Sequence, residues 1–574
     1  MRATFLVVVA HAAALAVSCA AGSLVHAEES ESCVSTVTEL VAENAALRKS
    51  NERLVNELDE CRAESVKQPL VWRPFTEGHD PGEPPQHHRK ALSTPGPTPL
   101  TPVPSYAPSV SASPTSEEWR QLAAAVADTS SADIIVYADI TFPSQSPITI
   151  GSDRSVSIVG RFADDDGRVT LNGLSDSRLF LVKTGGTLYL TNLNLVNGSA
   201  PDPTAANCVS NGGDLELCNG GAIFVDEHGS LVMTSCDIRG LGAGFLNADY
   251  GAGIYVVANG ATVSIHNATF ENLAARYGTA IAFHNTGEEE SSQLISHGCR
   301  FVNNYAADFS IVHIYLYNIY TYFYDCVWLN NEGVSFALRS TDNAVLSEIR
   351  GCVFRDNLVA LENGRNEGGA VQVSLGCGID IFDSIFENNV GPGGGSGGAV
   401  HAGDNSFATL VNCTFIQNTA YAGGAFAAVS AASLTAIGCK GSGNTASEMG
   451  GNFYADAGKI TIINSVFTEA YAGTYAGVGL AYEDSIIILQ SSVFSDSYTS
   501  NIAAGFYLMA CDVSVTDCVF LNNEAANLLG TFYVHSGSNL HIVRTRIVDN
   551  RAAKGYGGCL YVSAQRLANF NVCK

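Results

Sequence analysis

The feature that most constrains this chain is a short phrase, Cys-x-Phe-x-x-Asn, that recurs at nearly regular intervals. It is complete at residues 299–304, 352–357, 413–418 and 518–523. Substituted copies keep the same frame, and most copies lie about 26 residues apart. A second phrase, Gly-Gly-Ala-aliphatic, precedes many copies, as at residues 397–400. A repeat of fixed period predicts a solenoid, in which each structural unit is stacked on the next.

Each unit contains short runs of alternating apolar and polar residues, punctuated by Gly and Asn, and no segment with the period of a helix. Such a unit cannot bury its own apolar face, whereas a stack of units can. Stacking in register would place like positions about 4.8 Å apart. The Phe position then predicts an internal aromatic ladder. The Asn position predicts a ladder at a turn, where Asn tolerates positive φ and its amide bonds to the next Asn.

The aromatic positions are Phe301, Trp328, Phe354, Phe386, Phe415 and Phe520, and the asparagine positions are Asn304, Asn331, Asn357, Asn389, Asn418, Asn444, Asn523 and Asn550. The Cys position is filled by Cys, Ser, Thr or Ala in different units. This tolerance predicts a small buried packing position, with a row of thiols that are not disulfide-bonded.

These patterns predict an all-β chain that forms a right-handed parallel β-helix with three strands per coil. About 13 coils would give a solenoid roughly 60 Å long. With 574 residues, 56 glycines and a net charge of −26, the chain suits one elongated domain with appendages better than several globules. The negative charge argues against nucleic acid or an anionic membrane surface as a partner. No apolar stretch after the N-terminus is long enough for a transmembrane helix.

The alternation of Gly-Gly-Ala-[Ile/Val/Phe] with Phe-x-x-Asn, over roughly residues 190–565, resembles the repeats of chlamydial polymorphic outer-membrane proteins. These belong to the pectin-lyase-like superfamily of right-handed β-helices. The resemblance implies a surface-displayed passenger that acts in adhesion. Residues 562–574 are too few for the family's outer-membrane anchor. We therefore expect an anchor elsewhere, a secreted chain, or a coil series that continues.

The first 27 residues have the pattern of a secretory signal peptide, with Arg2, an apolar run and a cleavage candidate at residues 25–27. This pattern predicts a secreted or cell-surface protein in an oxidising compartment.

Residues 28–68 predict a short coiled coil, because two sets of residues repeat every seven positions. Val37, Asn44, Asn51 and Leu58 form one set, and Cys33, Leu40, Leu47, Leu54 and Cys61 form the other. Buried Asn favours a parallel, in-register dimer. Cys33 and Cys61 would then face their own copies and form interchain disulfides. The alternative is a single amphipathic helix with unpaired or intrachain thiols.

Residues 69–115 are rich in Pro, Ser and Thr and predict an extended spacer. Residues 116–130 predict a capping helix that shields the edge of the first coil, and residues 131–574 contain the β-helix. Trp119, Leu122, Ala123 and Val126 share one face of the predicted helix.

Two kinds of covalent modification are possible in the coils. Cys208 and Cys218 flank an insertion and are disulfide candidates. Asn197, Asn267 and Asn412 lie in N-x-S/T sequons, and Asn412 should point outward because its neighbour Cys413 points inward. The alternative is that the sequons occur by chance, since Ser and Thr are common in the chain. The aromatic-rich residues 305–324 predict either core packing or an outward stripe for sugars or proteins.

Polysaccharide lyases, hydrolases and epimerases of the superfamily need a base or a pair of carboxylates, usually with Ca²⁺ or Arg. The sequence carries no recognisable motif of this kind. His401 and Asp404 follow a Gly-Gly-Ala strand and could form an acid–base pair, although a surface His near an Asp is common. From residue 366 to residue 543 the basic side chains are Lys440 and Lys459. A polyanion would therefore need bridging Ca²⁺, for which the candidate acids are Asp380, Asp383, Glu387, Glu483 and Asp484; ordinary solvated acids are the simpler interpretation.

The sequence thus predicts a secreted or cell-surface β-helix that acts as an adhesion or binding rod for glycans or surface proteins, presented as a parallel homodimer through residues 33–61. No cofactor is expected apart from a possible Ca²⁺. The alternatives are an extracellular polysaccharide lyase, hydrolase or epimerase on the same scaffold, and a passive structural protein of a cell wall.

Overall fold

The short alternating runs of the sequence form strands that pair with their counterparts in the coils before and after. The computed structural model describes residues 117–128, 133–161, 167–202, 215–242, 247–284, 290–315, 318–339, 346–359, 368–391, 393–528, 530–535, 537–555, 559–563 and 569–573. The predicted signal peptide, the coiled coil with Cys33 and Cys61, and the Pro-rich spacer lie outside these residues.

The described strands form three long sheets and one short sheet, named A to D here. The strands of sheet A are Asp133–Val136, Ser155–Gly160, Thr187–Thr191, Ser230–Thr234, Thr262–His266, Ser292–His297, Ile319–Tyr324, Leu346–Arg350, Gly378–Phe382, Phe407–Val411, Ser433–Ile437, Lys459–Ile463, Ile486–Gln490, Asp512–Thr516, Asn539–Val543 and Asn569–Cys573. The strands of sheet B are Ile140–Thr141, Val169–Asn172, Leu193–Val196, Asp237–Arg239, Thr269–Glu271, Arg300–Val302, Val327–Leu329, Val353–Arg355, Ile385–Glu387, Thr414–Ile416, Lys440–Ser442, Val466–Thr468, Val493–Ser495, Val519–Leu521 and Arg546–Val548.

The strands of sheet C are Ile148–Ile150, Phe180–Val182, Ile223–Val225, Ala248–Tyr250, Ile254–Val257, Ala274–Tyr277, Ile281–His284, Tyr305–Tyr315, Glu332–Arg339, Val371–Ser374, Val400–Ala402, Phe426–Val429, Phe453–Asp456, Gly479–Tyr482, Phe506–Leu508, Phe532–His535 and Leu560–Ser563. The strands of sheet D are Thr419–Ala422, Thr445–Met449, Tyr471–Ala472, Tyr498–Thr499, Glu524–Ala525 and Arg551–Ala552.

The chain passes through sheets A, B and C in turn and then starts the next coil, which gives a parallel β-solenoid of about 14 turns. The predicted all-β parallel β-helix with three strands per coil is therefore confirmed. The predicted number of coils is slightly low because the first coils lack the aromatic phrase. In the first four strands of sheet B, the position of the aromatic residue is occupied by Ile140, Leu171, Leu195 and Ile238.

The aromatic positions of the repeat stack over one another inside sheet B. Phe270, Phe301, Trp328, Phe354, Phe386 and Phe415 pair in register, and neighbouring ring centroids are 4.4 to 5.2 Å apart. A second run consists of Phe467, Phe494 and Phe520. These rings are fully or almost fully buried, so the ladder forms the centre of the core.

The two runs are separated by Gly441, which occupies the aromatic position of its coil. A Cβ atom on Gly441 would lie 2.3 Å from the ring of Phe467, so the ring fills the space that a side chain would need. Phe426 of sheet C closes the remaining gap, with ring centroids 5.6 Å from Phe415 and 5.8 Å from Phe467. The aromatic core is therefore continuous, because a ring from sheet C fills the position that lacks one in sheet B.

The asparagine ladder lies at the turn after sheet B. The Nδ2 of Asn389 donates to the Oδ1 of Asn418 and to the backbone oxygen of Phe354, both at 2.9 Å. The same pattern occurs at Asn304, Asn331, Asn357, Asn418 and Asn523. Asn444 keeps the bond to the Phe415 backbone oxygen and turns to Asn452, and Asn550 accepts from Asn523 at the last described step.

The expectation that the ladder asparagines themselves have positive φ is wrong, because the residue with positive φ is the one before each ladder asparagine. Positive φ occurs at the preceding position, as at Asn303, Asn330, Asn388 and Asn522, with values from 53° to 56°. The turn needs its left-handed residue just before the ladder, which points the ladder amide inward, where it bonds along the stack.

The Cys positions form a buried row in which the side chain accepts a hydrogen bond from the coil before it. The Sγ of Cys326 accepts from the backbone N–H of Cys299 at 3.4 Å, and the Oγ of Ser384 accepts from Cys352 at 3.1 Å. Cys and Ser side chains therefore accept the same kind of hydrogen bond, which explains why either residue can occupy this position of the repeat. Burial raises the pKa of the Cys518 thiol to about 11, so the thiol stays protonated.

The first coil is covered by a helix at Glu117–Ala127 that packs against it. Leu122 and Val126 are buried, and Trp119 and Ala123 pack on the same core. This arrangement covers apolar surface that the first coil would otherwise expose. Among the described residues, neither helix is long and apolar enough to cross a membrane.

Candidate functional site

The outer face of sheet C carries rows of aromatic and polar side chains. Residues alternate along each strand, so that Phe453 and Ala455 point into the core while Tyr454 points outward. Because the strands pair in register, outward residues of successive coils form rows parallel to the solenoid axis. The character of these rows changes along the molecule.

The C-terminal part of this face carries a series of tyrosine rings in contact with one another. Four of them share one register position, and Tyr482 lies two residues after Leu480, which occupies that position in its own coil. We call Tyr454, Tyr482, Tyr507, Tyr533 and Tyr561 the tyrosine row. Neighbouring rings contact one another, with centroid distances of 6.4, 6.1, 4.8 and 5.6 Å in that order. Their exposure ranges from 9% for Tyr454 to 37% for Tyr561, so each ring keeps part of its surface in contact with solvent.

Sheet D and its adjoining turns provide further aromatic residues beside the tyrosine row. The ring of Tyr475 lies 5.2 Å from that of Tyr507, and Tyr421 packs on the same apolar cluster. Burial raises the pKa of the Tyr454 and Tyr507 hydroxyls. The phenols therefore remain neutral at physiological pH and offer both a donor and an acceptor. The Tyr454 hydroxyl donates to Asp456 at 3.0 Å.

The N-terminal part of the same face is more deeply buried. Phe224, Tyr255 and Ala282 are at most 2% exposed, although they occupy outward positions in register. Leu215, in the short helix Leu215–Cys218, packs on this cluster. Arg178, itself 1% exposed, donates to the backbone oxygens of Gly220 and Asn219 at 2.9 and 2.6 Å. These contacts fix the short helix over the outer surface of sheet C.

A row of polar side chains occupies the outward position two residues after that of Tyr255 and Ala282. His284, Tyr315, Arg339 and Ser374 pair in register on successive coils, and we call them the polar row. Three of them have a buried polar atom without a hydrogen-bond partner: Nδ1 of His284, Nε of Arg339 and Oγ of Ser374. Burial lowers the pKa of His284 to about 4, so its imidazole is neutral at physiological pH.

Charged residues border the polar row on the strands that precede it. Arg276 binds Asp308 at 2.6 Å and Asp249 at 3.3 Å. Burial raises the pKa of the Asp249 carboxyl, and the Arg276 guanidinium opposes this effect. One guanidinium therefore binds both carboxylates.

The structure does not support His401 and Asp404 as a surface acid–base pair. His401 is 2% exposed in sheet C, and its Nδ1 lies 3.1 Å from the Oγ of Ser396. Asp404 lies in a turn with a φ of 49°. The sequence correctly placed His401 in the strand that follows Gly-Gly-Ala, but the structure buries its side chain beside Ser396, so the expectation of a surface histidine was wrong.

The three sequons occupy different environments. Asn267 and Asn412 are exposed at the turn from sheet A to sheet B, with φ of 51° and 54°. Asn197 is partly buried and donates to Asn172 at 3.2 Å. Cys218 is buried, and Cys208 lies outside the described residues, so this disulfide stays a prediction.

The candidate calcium acids are dispersed or paired. Asp383 and Glu387 form ion pairs with Arg350 and Arg355. Asp380 lies on sheet A, and Glu483 and Asp484 lie in a turn after sheet C. In the part of the chain that the structure describes, no group of three or more metal-ligating side chains converges.

The tyrosine row and the polar row were not identified from sequence. A signal existed for the first: Tyr507, Tyr533 and Tyr561 each follow the inward residue of a sheet C strand, at nearly the repeat spacing. Tyr320, Tyr322 and Tyr324, from the aromatic-rich segment, point outward on sheet A instead.

The fold and these rows define a parallel β-helix with an aromatic and polar outer face. No family model and no curated protein matches the chain. Among solved structures it is similar to the catalytic domain of a GH87 alpha-1,3-glucanase in complex with tetrasaccharides. The identity is 12%, the TM-score is 0.21, and the match covers 83% of this chain and 71% of that chain. So low a TM-score carries no argument about activity, and the resemblance to chlamydial repeats stays a prediction.

Proposed function

We propose that the protein binds an extended, largely neutral glycan along the outer face of sheet C. The tyrosine row is the observation that carries this proposal. Five tyrosine rings follow the solenoid axis, each in contact with the next. Four of them share one register position, and Tyr482 bridges the coil in which that position is Leu480. Sugar rings pack their apolar faces on aromatic rings, while the phenol hydroxyls exchange hydrogen bonds with sugar hydroxyls.

The repeat distance of the coils supports an extended ligand in particular. Successive strands lie about 4.8 Å apart, which is close to the length of one sugar unit in an extended chain. A linear glycan could therefore meet a tyrosine ring at each of these coils, although Tyr482 stands two residues after the position that the other four share. The acidic character of the whole chain, with a net charge of −26, disfavours a polyanionic ligand on this surface.

The geometry favours binding over glycan hydrolysis. Hydrolysis generally requires two carboxylates on opposite sides of the scissile bond. The described part of the face brings Asp456 into contact with the tyrosine row, and the Asp249 and Asp308 carboxylates are held together by Arg276. A polysaccharide enzyme on this scaffold, the alternative suggested by the sequence, would need two carboxylates on opposite sides of one bond, whereas these three carboxylates are bound by Tyr454 or by Arg276.

We further propose that the chain is secreted or displayed at the cell surface, and that residues 33–61 join two copies into a parallel dimer. The support for both statements is the N-terminal sequence, since these residues lie outside the described part of the chain. Two binding faces in one dimer would raise the avidity for a repetitive glycan well above the affinity of one face.

A glycan array probed with the full chain, followed by calorimetry on the best ligand, tests the proposal. We expect Tyr507→Ala and Tyr533→Ala each to weaken binding about tenfold or more, because each removes a stacking surface. Tyr471→Ala and Tyr498→Ala are matched controls, since these exposed rings stack on each other in sheet D, 5.9 Å apart. Absence of any bound glycan, or equal losses in the control variants, would overturn the proposal.

A further inference from the structure

The polar row contains polar atoms that a folded chain does not normally leave unsatisfied. His284 Nδ1, Arg339 Nε and Ser374 Oγ are buried without partners on three of its four coils. The hydroxyl of Tyr255, a residue with no exposed surface, is also unsatisfied. A buried polar group without a partner destabilises the folded state, so four such groups in one region favour the binding of another molecule there.

These atoms belong to one continuous region. The Tyr250 ring lies 6.4 Å from the Tyr255 ring and 5.9 Å from His284. The ring of His284 lies 5.2 Å from that of Tyr315. Tyr315 and Arg339 then pair in register across sheet C. The region is therefore lined by aromatic rings and runs along the same face as the tyrosine row.

Arg339 determines the chemistry of the missing partner. Its guanidinium lies 5.2 Å from the centre of the Phe309 ring, and no carboxylate among the described residues pairs with it. Arginine remains charged under all relevant conditions and only donates hydrogen bonds. A partly buried guanidinium stacked on an aromatic ring, with a free Nε–H, is suited to receive a planar anion.

The neighbouring groups are compatible with the same anion. Burial raises the pKa of the Tyr255 hydroxyl, which therefore keeps its proton and can donate it. The neutral imidazole of His284 can donate from Nδ1 in one tautomer, and Ser374 can also donate. Three potential donors in the polar row, with the Tyr255 hydroxyl beside it, match a ligand with many acceptors.

We propose that the polar row is a subsite for one carboxylate-bearing sugar within the otherwise neutral glycan, with Arg339 binding the carboxylate. This inference rests on the proposed glycan-binding function and specifies its ligand further. It assigns charge recognition to the buried part of sheet C and stacking to the tyrosine row. One carboxylate at a defined position fits one unpaired guanidinium, whereas a chain of repeated charges would meet the acidic remainder of the protein.

Calorimetry with matched oligosaccharides tests the subsite. The probes are a neutral gluco-oligosaccharide, the same oligomer with one glucuronic acid, and the same oligomer with one sulfate ester. For the wild-type chain we expect the glucuronate oligomer to bind about tenfold tighter than the neutral one. We expect Arg339→Gln to abolish this difference while leaving the affinity for the neutral oligomer unchanged.

Arg339→Lys should keep only part of the preference, since an ammonium cannot form a forked contact. Arg350→Gln is the matched control, because Arg350 also stacks on an aromatic ring but is paired with Glu348 and lies on sheet A. It should bind both oligomers like the wild type. Thermal unfolding of Arg339→Gln should change only slightly, since the variant loses the contact with the Phe309 ring but no ion pair with a described residue.

The outcomes separate this inference from the proposed function. Equal affinity of the wild type for neutral and glucuronate oligomers overturns the subsite and leaves neutral glycan binding intact. A preference that survives Arg339→Gln, or is lost in Arg350→Gln, also overturns it. Tighter binding of the sulfate than of the carboxylate contradicts the assignment to a planar anion. Binding of no oligosaccharide at all rejects the glycan-binding function itself.

Discussion

At the scale of single residues, the asparagine ladder shows how a repeated side chain can hold coils in register. Each ladder amide satisfies a backbone oxygen in the coil before it and reaches the ladder residue of the coil after it, as Asn389 does with Phe354 and Asn418. Its Oδ1 also accepts from the backbone and side chain of Asn357, at 3.3 and 2.9 Å. These bonds are buried, so the loss of one amide leaves several groups unsatisfied.

Asn389→Ala tests this role directly. It removes the acceptor of two donors on Asn357 and the donor to Phe354, so we expect the free energy of unfolding to fall by about 3 kcal/mol. Denaturant unfolding, or amide exchange of the adjacent coils, measures the change. Asn388→Gly is the control: Asn388 has a φ of 54°, which glycine adopts readily, and the change should stay within about 0.5 kcal/mol. Equal losses in both variants would contradict the ladder's role.

The ladder residues were predictable from sequence because stacking forces like residues into like environments. Phe354 and Asn389 carry their own spacing signal, and no long-range contact other than the repeat itself needs to be known. The left-handed residue before each ladder asparagine was missed, since Asn, Asp, Gln and Gly all occupy this position and leave no single-letter pattern, as at Asp356 and Gln417. Arg339 was missed for a different reason. Whether a carboxylate pairs with its guanidinium depends on the positions of all other charged residues in the fold, which the repeat does not reveal.

At the scale of elements, sheet C differs from sheets A and B because covering segments bury part of its outer face. The short helix Leu215–Cys218 and the ring of Phe309 cover outward positions that would otherwise be exposed. These segments are insertions into the repeat, and their contacts cannot be read from its period. The sequence therefore predicted the strands of sheet C, but it did not predict which part of the outer face is open.

Burial of the polar row has a consequence for the pH dependence of stability. The pKa of His284 falls from 6.5 to about 4 because burial disfavours the charged imidazole. Below about pH 6.5 the unfolded chain takes up a proton that the folded chain refuses until about pH 4. Folding stability is therefore lost as the pH falls through this window.

His284→Gln removes this titration and serves as the comparison. We expect the difference in unfolding free energy between wild type and variant to be constant above pH 6.5. It should shift against the wild type by up to about 3 kcal/mol between pH 6.5 and pH 4. Denaturant melts at matched pH values measure it. Parallel stability curves for the two proteins across this window would show that His284 is not buried in its neutral form.

At the scale of the whole molecule, the repeat explains both the length of the solenoid and the linear arrangement of the outward residues on sheet C, the proposed binding face. Each strand pairs in register with the equivalent strands of the coils before and after it. Residues at the same outward position therefore form a row along the solenoid. Dimerisation through residues 33–61 would place two such rows on one particle.

Non-reducing gel electrophoresis tests the dimer. We expect the full chain to migrate as a disulfide-linked dimer without reductant, and the Cys33→Ser, Cys61→Ser double variant to migrate as a monomer. The buried thiols of the coils should not contribute, because burial keeps residues such as Cys511 protonated, with a pKa of about 11. A wild-type chain that runs as a monomer without reductant would exclude the covalent dimer.

Amide hydrogen exchange of the full chain, with and without its best-binding glycan, tests the central claim most directly. We predict slower exchange in successive strands of sheet C, including Phe453–Asp456, Phe506–Leu508 and Phe532–His535, with the strands of sheet A in the same coils unchanged. Protection confined to sheet A or sheet B, or to a single loop, would contradict a binding face that runs along the solenoid.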